Sequence, residues 1–174
     1  MMDVIIRPII QDDADALFAL RLTSLKINPE AFGADYADTL HNQTAASYAE
    51  RIPTADSDNL MIGAELDGAL VGMMGFVRET RPKTKHMGVI WGVFVDPKAR
   101  GRGISKQMMT AIMTHAQQCD GLRQVVLSVV TDNQAAVKLY QRFGFTIWGT
   151  QPDALQVHDQ SYAMHWMSYQ VASI

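Results

Sequence analysis

Arg100-Gly101-Arg102-Gly103-Ile104-Ser105 joins two stretches of different character. Before it lies Val89-Ile90-Trp91-Gly92-Val93-Phe94-Val95, short, apolar and rich in β-branched residues, which reads as a buried strand. After it, Ile104, Met108, Ile112, Ala116 and Cys119 recur at helical spacing and make one apolar stripe. A strand that turns through glycines into a helix exposes several backbone N–H groups at one point. The helix dipole adds about half a positive charge there, so the turn suits a phosphate or pyrophosphate. Arg100 and Arg102 bring mobile positive charge beside it. Glycines at such a turn can also serve only positive φ or close packing, with the arginines solvated. A P-loop would end in Gly-Lys-Ser/Thr, which is absent, and Lys106 stands where a dinucleotide fingerprint needs its third glycine. Neither nucleotide hydrolysis nor an NAD site is indicated.

Outward from this turn the chain alternates strand and helix signals. Val4 to Arg7 reads as a strand stopped by Pro8, and Asp12 and Asp13 open a helix with Ala16, Leu17, Leu20 and Leu25 on its apolar side. Asn28 to Gly33 interrupts it, and a short helix is expected over Ala45 to Arg51. Leu60 to Leu66 and Leu70 to Val77 form a hairpin around Asp67-Gly68. The basic stretch Arg78 to His86 leads into the strand ending at Val95. The glycine-turn helix should run from about Gly103 to Cys119 and close at Asp120-Gly121. Gln124 to Val130 is a strand, Asn133 caps a helix through Arg142, and Gly144 stops it. Phe145 to Trp148 and Tyr162 to Tyr169 are the last strands, with Asp159-Gln160-Ser161 near the turn between them. The pattern is that of one α/β domain over 1–174 with a mixed central sheet flanked by helices.

Composition narrows the function classes. The 174 residues are 48% hydrophobic and 19% charged, which favours a globular core over disorder. The formal charge of −3 offers no basic surface for nucleic acid and tolerates an amine substrate. Cys119 is the single cysteine, so no internal disulfide can form, and a cytoplasmic location is expected. Its place on the apolar stripe fits core packing better than nucleophilic catalysis. No segment approaches the roughly 18 apolar residues of a membrane span, and the N-terminus lacks the pattern of a secretory signal. Five histidines show no metal-ligand spacing, and no metal is expected. Met108, Met109 and Met113, among eleven methionines, suggest adaptable packing along the glycine-turn helix.

A second constellation follows the next strand: Asn133-Gln134-Ala135-Ala136-Val137-Lys138-Leu139-Tyr140, then Phe143-Gly144-Phe145. Together with the turn, it resembles the GNAT superfamily of acyl-CoA-dependent N-acetyltransferases. That family's cofactor loop reads Arg/Gln-x-x-Gly-x-Gly/Ala, matched by Arg100, Gly103 and, imperfectly, Ser105. Its downstream element reads Asn-x-x-Ala-x-x-Leu-Tyr-x-x-x-Gly-Phe, matched by Asn133, Ala136, Leu139, Tyr140, Gly144 and Phe145. The resemblance is strongest over about 88–148, the expected cofactor-binding core.

The resemblance implies acetyl-CoA as acyl donor and a primary amine as acceptor, the amine attacking the thioester directly in a ternary complex. It places the pyrophosphate against the N–H groups of Arg100, Gly101, Arg102, Gly103, Ile104 and Ser105. It runs the pantetheine arm beside Val93, Phe94 and Val95, pairing with the main chain like an added strand. Asn133 is put near the pantetheine, although a pure helix cap explains it equally well. Tyr140 is implied as the general acid that protonates the leaving thiolate; a core aromatic is the plain alternative. A backbone N–H near Phe94 or Val95 could steady the developing oxyanion. Many relatives carry a glutamate on the strand before the turn, and Gly88 to Val95 has no carboxylate. Glu79, Asp132 and Ser128 lie within reach in sequence, and none is assigned as base.

For the acceptor, the resemblance points to the first helices and the final strands, hence to Asn28, Phe32, Tyr36, Trp148 and Tyr162. A small molecule is preferred over a protein N-terminus or lysine. The rival reading is a non-catalytic acyl-CoA sensor, motivated by the missing carboxylate and by Ser105. The cluster Arg78, Arg81, Lys83, Lys85 and His86 reads as a solvated hairpin connection, ahead of a contact for CoA phosphate or an acidic acceptor. Self-association is open: apolar edge strands near Tyr162 to Tyr169 could pair across a homodimer.

Overall fold

A computed structural model describes residues 3–54 and 57–171. Its frame is one seven-stranded sheet in the order β1-β2-β3-β4-β5-β7-β6. The strands are β1 (Ile5–Pro8), β2 (Leu60–Leu66), β3 (Ala69–Arg78), β4 (Met87–Val95), β5 (Gln124–Val130), β6 (Thr146–Val157) and β7 (Gln160–Gln170). All neighbours are antiparallel except β4 and β5. That parallel pair needs a crossover, and α4 (Ile104–Gln118) supplies it. The other helices are α1 (Ala14–Ile27), α2 (Tyr36–Asn42), α3 (Ala45–Ala49) and α5 (Gln134–Arg142).

Period-two alternation along the central strands sorts the core onto two faces. On β3, Met74 and Phe76 join α4 and α5 in the larger core, whereas Met73 joins α1 in the smaller one. On β4, Ile90 and Val95 face α4, and Phe94 faces α1. The stripe Ile104, Met108, Ile112, Ala116 and Cys119 is buried as its spacing predicts, with Met109 and Met113 beside it. Cys119 packs in this core, where burial pushes its thiol up.

The hairpin reading holds, since Asp67 and Gly68 both take positive φ between β2 and β3. Pro8 ends β1 without breaking it, because β1 is an edge strand and needs fewer N–H donors. Three expectations require correction. An additional helix, α2, occupies Tyr36–Asn42, started by Asp35, whose carboxylate accepts the Asp38 N–H at 2.9 Å. β6 extends far beyond Trp148, through Pro152, because it is the other edge strand and shifts register between Gln151 and Leu155. Tyr162 to Tyr169 is not a sheet edge: β7 lies between β5 and β6 and is paired on both sides, so it offers no free strand to a second copy. Among the described residues no helix is long and apolar enough to cross a membrane.

Candidate active site

An irregularity of the sheet lies where β4 meets β5. They pair only through Met87↔Gln124, Gly88↔Val125 and Val89↔Val126, and beyond Val89 they separate. The cause lies in β4. Its register with β3 passes from Gly75↔Trp91 to Met73↔Phe94, so β4 carries one more residue than β3 over the same interval. Gly92 takes φ +64° in this bulge, a conformation that glycine adopts without Cβ strain. The β5-facing main-chain groups of β4 are thereby left without a strand partner over Val93, Phe94 and Val95.

The glycine turn stands at the far end of this gap. Asp96 accepts the Lys98 N–H at 2.8 Å and closes a tight turn, Pro97–Ala99. Gly101 and Gly103 then both adopt positive φ, and Gly103 begins α4 with no side-chain cap. Among the described residues, no backbone N–H from Gly101 to Lys106 donates to another residue. These free donors at the positive end of a 15-residue helix suit a pyrophosphate. Gly101, Arg102 and Gly103 are exposed, Ser105 is half-buried, and Ile104 anchors the turn in the core.

Arg100 is not the mobile cation its sequence context suggests. Its Nε donates to the Val95 carbonyl at 3.0 Å, and its Nη2 donates to Asn28 Oδ1 at 3.1 Å. The guanidinium thus ties the turn to the end of β4 and to the loop after α1. Arg102 remains exposed. Asn133 serves as the α5 cap, its Oδ1 accepting the Ala136 N–H at 3.2 Å.

Tyr140 is buried in the same core cluster as Val95 of β4 and Val129 of β5, the strands on either side of the gap. Its ring lies 6.2 Å from that of Phe145. Burial pushes its phenol up to about 12, so it is protonated throughout the neutral range.

On the α1 face a cavity opens beside the bulge. It is lined by Leu17 and Arg21 of α1, Tyr48 of α3, Met61, Met73, Met74 and Gly75, and by Trp91 and Gly92. Trp91 can lie across β3 because Gly75 opposite has no side chain; a Cβ there would stand 2.4 Å from the indole. Arg21 escaped the sequence reading. Its signal was present, an arginine on the buried side of α1 between Leu17, Leu20 and Ser24. Of the acceptor candidates, Phe32 lies under the Arg21 guanidinium at 4.6 Å, and Asn28 holds Arg100. Tyr36 stacks with Lys26 instead, Trp148 with Trp166, and Tyr162 pairs with Leu155; none of these three lines the cavity. Glu79 lies at the opposite end of β4, in a polar groove with Asp58, Arg78 and Lys85. Arg78 is a structural tie there, bound to Asp58, to the Lys85 carbonyl and to the Asp120 carbonyl.

The gap in the sheet thus ends on a row of free amides. The model of the acetyltransferase (GNAT) family matches residues 25–145. The chain belongs to the GNAT acetyltransferase family. Among the solved GNAT structures it is similar to an acetyltransferase of Streptococcus pneumoniae, with a TM-score of 0.87 and 25% identity over 98% of this chain and 100% of that one. The fold is shared with yncA of Salmonella typhimurium, solved with its cofactor acetyl-CoA, at a TM-score of 0.82 and 19% identity, covering 99% of this chain and 96% of that one. In sequence it is 32% identical to the mycothiol acetyltransferase of Salinispora tropica over 71% of this chain. It is 34% identical to the spermine/spermidine N(1)-acetyltransferase of Bacillus subtilis over 51%. The matched region spans 40% of the former relative and 60% of the latter.

Proposed function

We propose that this GNAT protein transfers an acetyl group from acetyl-CoA to the primary amine of a small molecule, by direct attack in a ternary complex. The observation that carries the reading is the β4–β5 gap running into the free amides of Gly101 to Lys106. The residues fit the donor. The amides from Gly101 to Ser105, with exposed Arg102, would hold the pyrophosphate, and Val93, Phe94 and Val95 would pair with the pantetheine amides. Acetyl-CoA, when bound, supplies a thioester carbonyl open to an amine. A relative named a spermine/spermidine N(1)-acetyltransferase and others named mycothiol acetyltransferases support a small acceptor.

The chain's own groups then divide the work. Arg100 fixes the turn against Val95 and Asn28, so the amides are aimed before the ligand arrives. Tyr140, kept protonated by burial, donates its phenolic proton to the departing sulfur. The cavity between α1 and Trp91 receives the acceptor amine. Among the described residues no carboxylate lines that cavity, so the amine proton leaves to solvent. A homodimer in this reading would use the exposed edge of β6, where Trp148 is 64% exposed.

Thiol release from acetyl-CoA, measured against polyamines, amino acids, aminoglycosides and short peptides, tests the proposal. Turnover on one class is expected. Calorimetric binding of acetyl-CoA without turnover on any amine would replace the enzyme with an acyl-CoA sensor; no binding would sink both readings.

A further inference from the structure

We infer that Asn28 is a positioning residue for acetyl transfer: its amide locks the acetyl-CoA turn, through Arg100, to the loop that follows α1. The inference deepens the acetyl-transfer reading above and rests on it. Its ground is a side-chain amide engaged at both ends. Asn28 Oδ1 accepts from Arg100 Nη2 at 3.1 Å, across 72 residues of chain. Asn28 Nδ2 donates to Glu30 Oε1 at 3.3 Å.

Ending α1 does not call for this side chain. The helix closes on backbone alone, with the Asn28 N–H donating to the Ser24 carbonyl at 2.9 Å. Pro29 follows and keeps Asn28 out of the helical region, at φ −129° and ψ 63°. The Ala31 N–H then returns to the Asn28 carbonyl at 3.0 Å. The backbone of Asn28 is held on both sides, so its amide starts from a fixed point. An asparagine serving only its own turn would bond to nearby backbone. This one reaches the glycine turn instead.

The parts it joins stand on both sides of the strand gap. Arg100 is held to the end of β4 by the Val95 carbonyl, and its guanidinium lies 5.9 Å from the Phe94 ring centroid. Pro29–Ala31, directly after Asn28, packs against β5 and β6. The loop therefore meets β4 through Arg100 and β5 directly, while those two strands part between them. Its position relative to the glycine turn sets how an acceptor approaches a thioester held in the gap. Asn28 also separates a cation from an anion, since Arg100 and Glu30 make no ion pair with each other. It shows oxygen to the first and N–H to the second, a division that only an amide makes without adding charge.

The test is a double-mutant cycle read by calorimetric binding of acetyl-CoA, with hydrogen exchange over residues 28–33 as a second readout. Asn28→Ala is expected to weaken acetyl-CoA binding about tenfold, the low end for a hydrogen bond to a charged group, because this bond is exposed. Arg100→Met keeps the stem over Phe94 and removes the guanidinium. In that background Asn28→Ala should cost nothing further, since Asn28 acts through Arg100. Asn28→Asp retains an acceptor for Arg100 and should recover most of the affinity. By linkage, acetyl-CoA should slow exchange of the Ala31 and Phe32 amides in the parent and leave it unchanged in Asn28→Ala. A thermal melt confirms that each variant is folded. An asparagine with only a structural role would lower affinity equally in both backgrounds, and that additive result overturns the inference. Exchange over 28–33 that ignores acetyl-CoA in the parent also overturns it. Full-strength binding by Asn28→Ala overturns it while leaving the acetyl-transfer reading intact. Failure of the parent to bind acetyl-CoA overturns both.

Discussion

Replacing Gly75 by alanine puts a methyl group where the Trp91 indole now lies. The new Cβ would stand 2.4 Å from Cε2 and 2.7 Å from Cζ2 and Nε1, whereas ordinary contact begins near 3.4 Å. The ring must therefore retreat by about 1 Å. Trp91 is 41% exposed, so it can swing towards solvent instead of compressing the core. The cost should fall at the low end of the usual overpacking range, about 1 kcal/mol. In a chain of this length that lowers Tm by about 2–4 °C. The functional effect should be larger, because the displaced indole is a wall of the acceptor cavity. A shift of this size is expected to cut kcat/KM for the acceptor by about ten- to a hundredfold. Acetyl-CoA binding should be unchanged, since Trp91 lies upstream of Val93. Steady-state kinetics with each substrate varied in turn, alongside a thermal melt, gives all three numbers. Near-UV circular dichroism reports the ring movement. Unchanged acceptor kinetics with an altered tryptophan signal would refute the assignment of this cavity to the acceptor. A large loss of acetyl-CoA affinity would refute the placement of the donor beyond it.

Four further outcomes are expected. Tyr140→Phe should lower kcat by about a hundredfold with little change in acetyl-CoA affinity, and unchanged turnover removes the acid role. Because burial raises the Tyr140 phenol from 10.0 to about 12, the fold holds its proton more tightly than the unfolded chain does. That difference is complete below pH 10 and is lost between about pH 10 and 12, so alkaline melts of the parent should fall by about 2–3 kcal/mol relative to those of Tyr140→Phe, which has nothing to ionise. Asp13 shows the opposite sign. Arg7 holds its carboxyl below the usual range, so the stabilisation is present above about pH 4 and disappears as pH falls through the lowered value. Asp13→Asn should therefore lower stability by about 1–2 kcal/mol at neutral pH and converge with the parent in acid. Finally, Arg102→Ala should reduce the salt dependence of acetyl-CoA binding, whereas Arg100→Ala should weaken binding without changing that dependence, because Arg100 acts by holding the turn.

Local chemistry dictated much of this molecule. The strand before Arg100, the glycines that free the α4 amides, the apolar stripe from Ile104 to Cys119 and the Asn133 cap are all decided within a few residues of chain. Such features are legible because φ preference, capping and period belong to neighbours. Two ordered motifs were enough to indicate the family. The terminal strand β6 was legible only in its first residues, since a Pro-containing segment becomes a strand only once β7 lies beside it.

The site itself belongs to tertiary structure. Nothing near Gly92 in sequence says that β4 will part from β5; the bulge is defined against the register of β3, and the gap against where β5 arrives. Arg100 reads as a free cation until Asn28, far away in the chain, is placed within hydrogen-bonding distance. Arg21 reads as one polar residue in a helix until Phe32 is placed against its guanidinium and the Tyr48 phenol beside it. Sequence fixes what each residue can donate, accept or pack. Which of these it does depends on which distant partners the fold brings within a few ångströms.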